Sequence, residues 1–114
     1  MTTQQVANRL VELCRQGNIM QAQQELYGQD MVSIEPGQPN AVGLPAVTEK
    51  GKQFAAMIEA HHGGHVSEPL VAGPYFSIAW AMDVTMKGRG RVNMEEVCVY
   101  KVKDGKIVEE QFFF

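Results

Sequence analysis

From residue 65 to residue 114 the sequence consists of short alternating runs separated by turn signals, a pattern that folds as a hairpin-connected sheet. The sharpest signal is Lys103-Asp104-Gly105-Lys106. Asp-Gly supplies the positive φ values of a two-residue hairpin loop, so the runs over 91–102 and 106–114 are expected to pair antiparallel. Gly73-Pro74 closes a run over 65–72, and Lys87-Gly88-Arg89-Gly90 turns a long run over 75–86 back on itself. With Asp104-Gly105 as the loop, Val102 stands opposite Ile107, Tyr100 opposite Glu109, Cys98 opposite Gln111 and Glu96 opposite Phe113. On the long run Phe76, Ile78, Trp80, Met82, Val84 and Met86 share one face, the candidate core face. A three-residue loop with a bulge around Gly88-Arg89-Gly90 carries that face on through Val92, Met94, Glu96, Cys98 and Tyr100. This register is preferred, and it sets one carboxylate, Glu96, among bulky apolar neighbours. A two-residue loop would instead bring Val97 and Val99 beside Trp80 and Ile78.

The first half has helical spacing. Thr2 or Thr3 can cap a helix in which Val6, Leu10, Leu13 and Cys14 recur on one face, widened by Ala7 and Val11 and closed by Gly17. Asn18 can cap a second helix with Ile19, Ala22 and Leu26 inward, with Gly28 after it. Met31-Val32-Ser33-Ile34-Glu35 alternates like a short strand stopped by Pro36-Gly37, and a further short strand is expected around 41–44. Thr48 is the expected cap of a third helix, with Phe54, Met57, Ile58 and His61 on one face and Gly63-Gly64 as its end.

At 114 residues, 45% hydrophobic and 20% charged, the chain is read as a single domain over 1–114. The formal charge is −3 with no basic run, which argues against a nucleic-acid partner. No apolar stretch approaches the roughly 18 residues of a membrane span, and no leader pattern is visible, so no membrane association and a cytoplasmic location are expected. Cys14 and Cys98 lie far apart outside any Cys-x-x-Cys spacing and are read as reduced, buried thiols.

A helix pair, a short strand ending in acid-Pro-Gly, a third helix and a four-strand meander form an order that resembles the nuclear transport factor 2-like superfamily, in its SnoaL-like branch. The local signals are Gly17-Asn18, Ser33-Ile34-Glu35-Pro36, Ala81-Met82-Asp83-Val84-Thr85, the run from Tyr100 to Val108, and Glu110-Gln111-Phe112-Phe113. The resemblance spans nearly the whole chain. It implies an α+β fold: a cone-shaped, curved antiparallel sheet of about five or six strands wrapped around three helices, an apolar pocket at the wide end, and a convex face used for homodimerisation. The superfamily holds isomerases, dehydratases, epoxide hydrolases and polyketide cyclases as well as non-catalytic modules, so activity has to be argued from the residues.

Glu35, before Pro36-Gly37, matches the place where ketosteroid isomerases of the superfamily carry their general-base aspartate. A carboxylate at an apolar rim has its charged form disfavoured, which moves its pKa toward the range useful for removing a proton beside a carbonyl. The corresponding oxyanion-stabilising positions hold Leu10 and Cys98, neither a strong donor, so a steroid isomerase in the strict sense is not expected. Glu96 is the second candidate. His61, extending the Phe54-Met57-Ile58 face, is the third, as acid, base or hydrogen-bond partner. Each also has a structural reading: a solvated acid for Glu35, a sheet-straddling acid for Glu96, a helix-end histidine for His61. Asp83 is read as structural or interfacial, because Arg89 and Arg91 sit at a hairpin tip rather than in a water-activating arrangement. His61, His62 and His65 are interrupted by Gly63-Gly64 and fit no metal-ligand spacing, and no nucleotide-binding string occurs, so neither metal nor cofactor is expected.

Trp80, Met82, Met57, Phe54, Cys98, Tyr100 and Phe113 are the expected contacts of an apolar or partly aromatic small-molecule ligand, with ordinary core packing as the alternative for each. The terminal Phe112-Phe113-Phe114 needs cover on both faces, which favours a homodimer. Two functions stay open: cofactor-independent proton transfer of the isomerase, cyclase or dehydratase-like lyase kind with Glu35 as base, and a non-catalytic ligand-binding or homodimeric assembly module.

Overall fold

Helix α1, Thr3–Arg15, begins with a capping box in which the Thr2 hydroxyl accepts from the Gln5 amide and the Gln5 side chain accepts from the Thr2 amide. Its six expected inward residues are all buried. Gly17, at φ +75°, makes the turn into α2, Ile19–Leu26. This is a computed structural model, and it describes residues 1–114.

No loop separates α2 from the first strand. Tyr27 is both the helix C-cap and the start of β1, Tyr27–Ile34, so Gly28 lies inside a strand rather than ending the helix. A short β2, Ala41–Val42, pairs with β1. Helix α3, Leu44–Ala56, starts earlier than expected: Gly43 at φ +89° is its N-cap and Pro45 occupies its first turn, where a missing N–H costs nothing. Thr48 is therefore one turn inside.

The helix also ends earlier than expected. Met57 is its C-cap, and residues 58–66 form strand β3, Ile58–Val66, paired antiparallel with β5. Gly63-Gly64 is thus no helix terminator. A Cβ on Gly64 would come 2.6 Å from the Ala81 carbonyl oxygen, so that glycine permits close strand approach at an irregular stretch of the ladder. The expected strand over 65–72 resolves into the end of β3 and a separate β4, Leu70–Ala72.

Strands β5, Tyr75–Met86, and β6, Gly90–Lys103, follow the preferred register, with Trp80 opposite Glu96, Met82 opposite Met94 and Val84 opposite Val92. Strand β7, Lys106–Phe113, begins as expected with Val102 opposite Ile107 and then slips by one residue. A bulge at Val108 brings Glu110, not Glu109, opposite Tyr100, and sets Phe113 against Val97 instead of Glu96.

The sheet order is β2-β1-β7-β6-β5-β3, with β4 also on β5. It is mixed rather than wholly antiparallel, because β1 runs parallel to β7. No hairpin joins those two, so nothing in the connection dictates their direction. Irregularities in the β3/β5, β6/β7 and β1/β7 ladders bend the sheet around the helices. Eighteen residues from α1, α2, α3 and the concave face make one core cluster. At its centre Phe76 and Tyr100 stack with centroids 4.8 Å apart. Cys14 and Cys98 are free and buried, as expected.

Candidate active site on the concave face

Four elements bring polar side chains onto the concave face. Alternation on β1 turns Tyr27, Met31 and Ser33 inward, and Glu35 follows at the strand end. The bulge on β7 turns Glu110 inward. Helix α3 extends Lys50 toward β1, and β6 contributes Glu96 and Cys98.

Glu110 is a buried carboxyl, only 4% exposed. Tyr27 Oη donates to its Oε2. Burial pushes the Glu110 carboxyl up from its ordinary value, hydrogen bonds from Tyr27 and Ser33 act the other way, and the net direction is up. Tyr27 is raised well above an ordinary tyrosine by burial and then by the Glu110 charge, so the phenol keeps its proton and serves as donor. Tyr100 is raised in the same sense, chiefly by burial.

Ser33 is fully buried and links this pair to Lys50, whose Nζ donates to Ser33 Oγ at 2.9 Å. The same Nζ lies 3.8 Å from Glu35 Oε2, a charge contact beyond hydrogen-bond length, and 5.5 Å from the centroid of Phe112. The Lys50 and Glu35 side chains are 28% and 27% exposed, within reach of solvent.

Glu96 completes the cluster. Burial raises its carboxyl above the ordinary range, the Cys98 thiol, which donates to Oε1 at 3.6 Å, lowers it, the Glu35 charge raises it and the Lys50 charge lowers it. Burial also holds Cys98 far above an ordinary thiol and Cys14 at about 12, so neither is a ready nucleophile.

The structure thus brings Glu35 and Glu96 around one lysine and leaves His61 out. His61 lies exposed on β3, because the expected helical face does not continue past Ala56. Phe54 and Met57 are likewise exposed, at the end of α3 and in its cap. Trp80 and Met82 are half-buried beside Glu96 and Met94, while Cys98 and Tyr100 belong to the buried core. Phe113 faces the convex side with Val97. Tyr27, Ser33, Lys50 and Glu110 are the members that sequence reasoning missed. Pro45 as a helix-start signal was the available clue to the phase of α3.

Asp83 lies on the opposite face, where Arg91 donates to both of its oxygens at 3.0 and 2.8 Å and His62 bonds Thr85 nearby. The surface has five recesses, two of which are open grooves with defined linings. One lies beside α1, with Asn8, Glu12, Arg15 and Glu68 among its residues. The other, of ≈ 400 Å³, joins His65, Trp80, Glu95, Glu96, Val97 and Phe113. Glu35 and Lys50 line neither. No group of His, Cys, Asp and Glu has the arrangement of a metal site.

A curved sheet wrapped on three helices, with polar groups gathered on its concave side, is the nuclear transport factor 2-like cone. The chain belongs to the SnoaL-like domain family, whose model matches residues 1–114. A protein of Mesorhizobium loti described as a candidate SnoaL-like polyketide cyclase is similar along its whole length, with 36% identity, 100% of both chains covered and a TM-score of 0.94. Two more distant structures share the fold. A cystatin-like protein of unknown function from Xanthomonas campestris has 17% identity, coverage of 99% of this chain and 90% of that one, and a TM-score of 0.84. TerC, co-crystallised with polyporic acid, has 14% identity, coverage of 99% and 92%, and a TM-score of 0.76. No functionally curated protein matches the sequence. No helix is long and apolar enough to cross a membrane.

Proposed function

We propose that the protein performs cofactor-independent proton transfer on a small, apolar or partly aromatic carbonyl compound held against the concave face. The observation that carries this reading is Glu96. It is a half-buried carboxylate whose affinity for a proton is raised by burial and by Glu35, set beside Trp80 and Met94 and near the single cation Lys50. A base of that kind exchanges protons near neutral pH better than a solvated glutamate does. Glu35, first in line from its place before Pro36-Gly37, becomes the charge that pairs with Lys50 and tunes Glu96. The polyketide-cyclase description of the Mesorhizobium loti relative supports a ring-forming or isomerising reaction, and TerC with polyporic acid supports an aromatic ligand class.

The direct test is deuterium wash-in at the carbon beside the carbonyl of cyclic ketones and aromatic 1,3-diketones in D₂O, followed by proton NMR. Protein-dependent exchange that falls at least about tenfold in Glu96→Gln is expected. Exchange equal to buffer across the panel contradicts the reading.

A second reading, homodimeric assembly through the convex face, is favoured by the exposure of Val97 and Phe113 at 46% and 49% on that side. It is compatible with the first. Native mass spectrometry is expected to show a dimer that Val97→Glu converts to monomer, and a wild-type monomer at micromolar concentration contradicts it.

A further inference from the structure

Helix α3 crosses the concave side of the sheet. Its start is tied to β1, where the Gly43 amide donates to the Met31 carbonyl at 2.7 Å, and its end to the end of β5, where the Lys87 amide donates to the Met57 carbonyl at 2.8 Å. Strands β7 and β6 lie between those two. Thirteen residues of helix reach about 20 Å, enough to cross three strand spacings of about 4.8 Å. Lys50 marks the crossing of β7, because its Nζ sits over Phe112. Phe54, one turn further on, therefore comes over β6, and Met57 over the end of β5.

The inward face of that helix is packed at one end only. Val47, Lys50, Phe54 and Met57 share it by helical spacing. Val47 is 2% exposed, Lys50 is half-buried, Phe54 is 37% exposed and Met57 44%. Val47 is the one buried residue of the helix, and residues 52–57 are all exposed. Exposure that rises along one face means that the helix leans away from the sheet toward its end. On the concave face of β5 and β6, Met82 and Met94 stand opposite each other, half-buried. Gly51 divides the packed part of the helix from the open part. A glycine inside a helix weakens it, and here a Cβ would lie 3.2 Å from Gln23 Nε2 of α2. Gln23 Oε1, buried at the same seam, has no hydrogen-bond partner, so α2 and α3 meet there without satisfying each other.

We propose that α3 is a lid hinged at Gly51, whose second half, residues 52–57, closes on an apolar ligand lying on Met82 and Met94. Phe54 and Met57 become buried against that ligand. None of these four side chains carries a charge, so the part of the ligand they hold is uncharged, and the three thioethers adapt to an irregular or flexible shape. Closure also takes water away from Glu96, two residues from Met94 on the same face of β6. The inference rests on the reading that the concave face holds a small apolar ligand, and not on proton transfer.

The probe is N-phenyl-1-naphthylamine, an uncharged fluorophore that brightens on leaving water and accepts excitation energy from the single tryptophan, Trp80. It is added to the full chain, with circular dichroism to establish the fold of each variant, and amide hydrogen exchange is followed by mass spectrometry with and without it. In the free protein residues 52–57 are expected to exchange at least about tenfold faster than the middle of α1, and the probe to slow them about tenfold with α1 unchanged. Phe54→Ser combined with Met57→Ser, which removes two exposed side chains and spares the core, is expected to weaken probe binding about tenfold. Gly51→Ala is expected to slow exchange of 52–57 in the free protein about fivefold, as a glycine-to-alanine change inside a helix does. Probe binding lost in Phe113→Ser and kept in the double variant places the probe on the convex face and overturns the inference. Absence of probe binding by folded wild type, or binding that leaves exchange of 52–57 unchanged, overturns it too. Unchanged exchange in Gly51→Ala overturns the hinge. Deuterium wash-in, which depends on Glu96, decides the proton-transfer reading separately.

Discussion

Glu110 and Asp83 are carboxylates on strands of one sheet, each hydrogen-bonded to a neighbour, yet their proton affinities move in opposite directions. Glu110 lies on the concave face under the helices, where Tyr27 and Ser33 reach it but burial outweighs them, so its carboxyl is raised. Asp83 lies on the convex face, where two hydrogen bonds from Arg91 outweigh a small loss of hydration and its carboxyl is lowered. The partners explain part of the difference, since a guanidinium is a cation and a phenol is not. The rest is solvent. One fold therefore raises the proton affinity of Glu110 and Glu96 on its concave face and lowers that of Asp83 on its convex face, and the proposed proton transfer is set on the first.

The strongest way to break the comparison is to empty the concave side. Phe76→Ala removes a fully buried ring stacked on Tyr100 and is expected to cost about 3–5 kcal/mol in denaturant unfolding, enough to threaten folding of a domain this size. Tyr27→Phe takes from Glu110 its phenol donor and is expected to cost about 1–3 kcal/mol by the same measurement.

A subtler test separates the faces by pH. Because the folded-state value of Glu110 is raised, its contribution is fully present below the unfolded-state value near 4.5 and is lost as pH rises through the folded value. Wild type should therefore lose stability from about pH 4.5 upward, in a component that Glu110→Gln removes. Unchanged pH dependence in that variant would show that folding does not raise the proton affinity of Glu110. Asp83 has the opposite sign: its contribution is present above the unfolded-state value and lost as pH falls through the lowered folded one. Arg91→Ala is accordingly expected to alter only the acid limb of the stability curve, and by the smallest amount of these variants, since the pair is solvent-screened.

Regular periodicity made much of this molecule legible in advance. The six inward residues of α1 and the Asp104-Gly105 hairpin follow from spacing and turn chemistry, and the shared face of β5 and β6, with Glu96 on it, follows from the preferred of two hairpin registers. Features that depend on a single-residue shift were not legible. A bulge at Val108 moves Glu110 inward in place of Glu109, and two adjacent identical side chains leave no trace of which one turns in. Residues 58–62 extended the helical pattern of α3 well enough to place His61 on its face, but pairing with β5 claimed them as strand. Lys50 was invisible for a related reason, since an inward lysine is recognisable only once Ser33 and Glu35 are seen beneath it.

The most direct test of the central claim is a pH titration of the glutamate side-chain carboxyl carbons by ¹³C NMR, with Glu96 assigned through Glu96→Gln, in wild type and in Lys50→Met. Glu96 is expected to titrate above an ordinary glutamate in wild type, for burial and the Glu35 charge both raise it. It should rise further once the opposing charge of Lys50 is gone. A Glu96 that titrates at or below the ordinary glutamate value, unmoved by Lys50→Met, would contradict a proton-transferring site on the concave face.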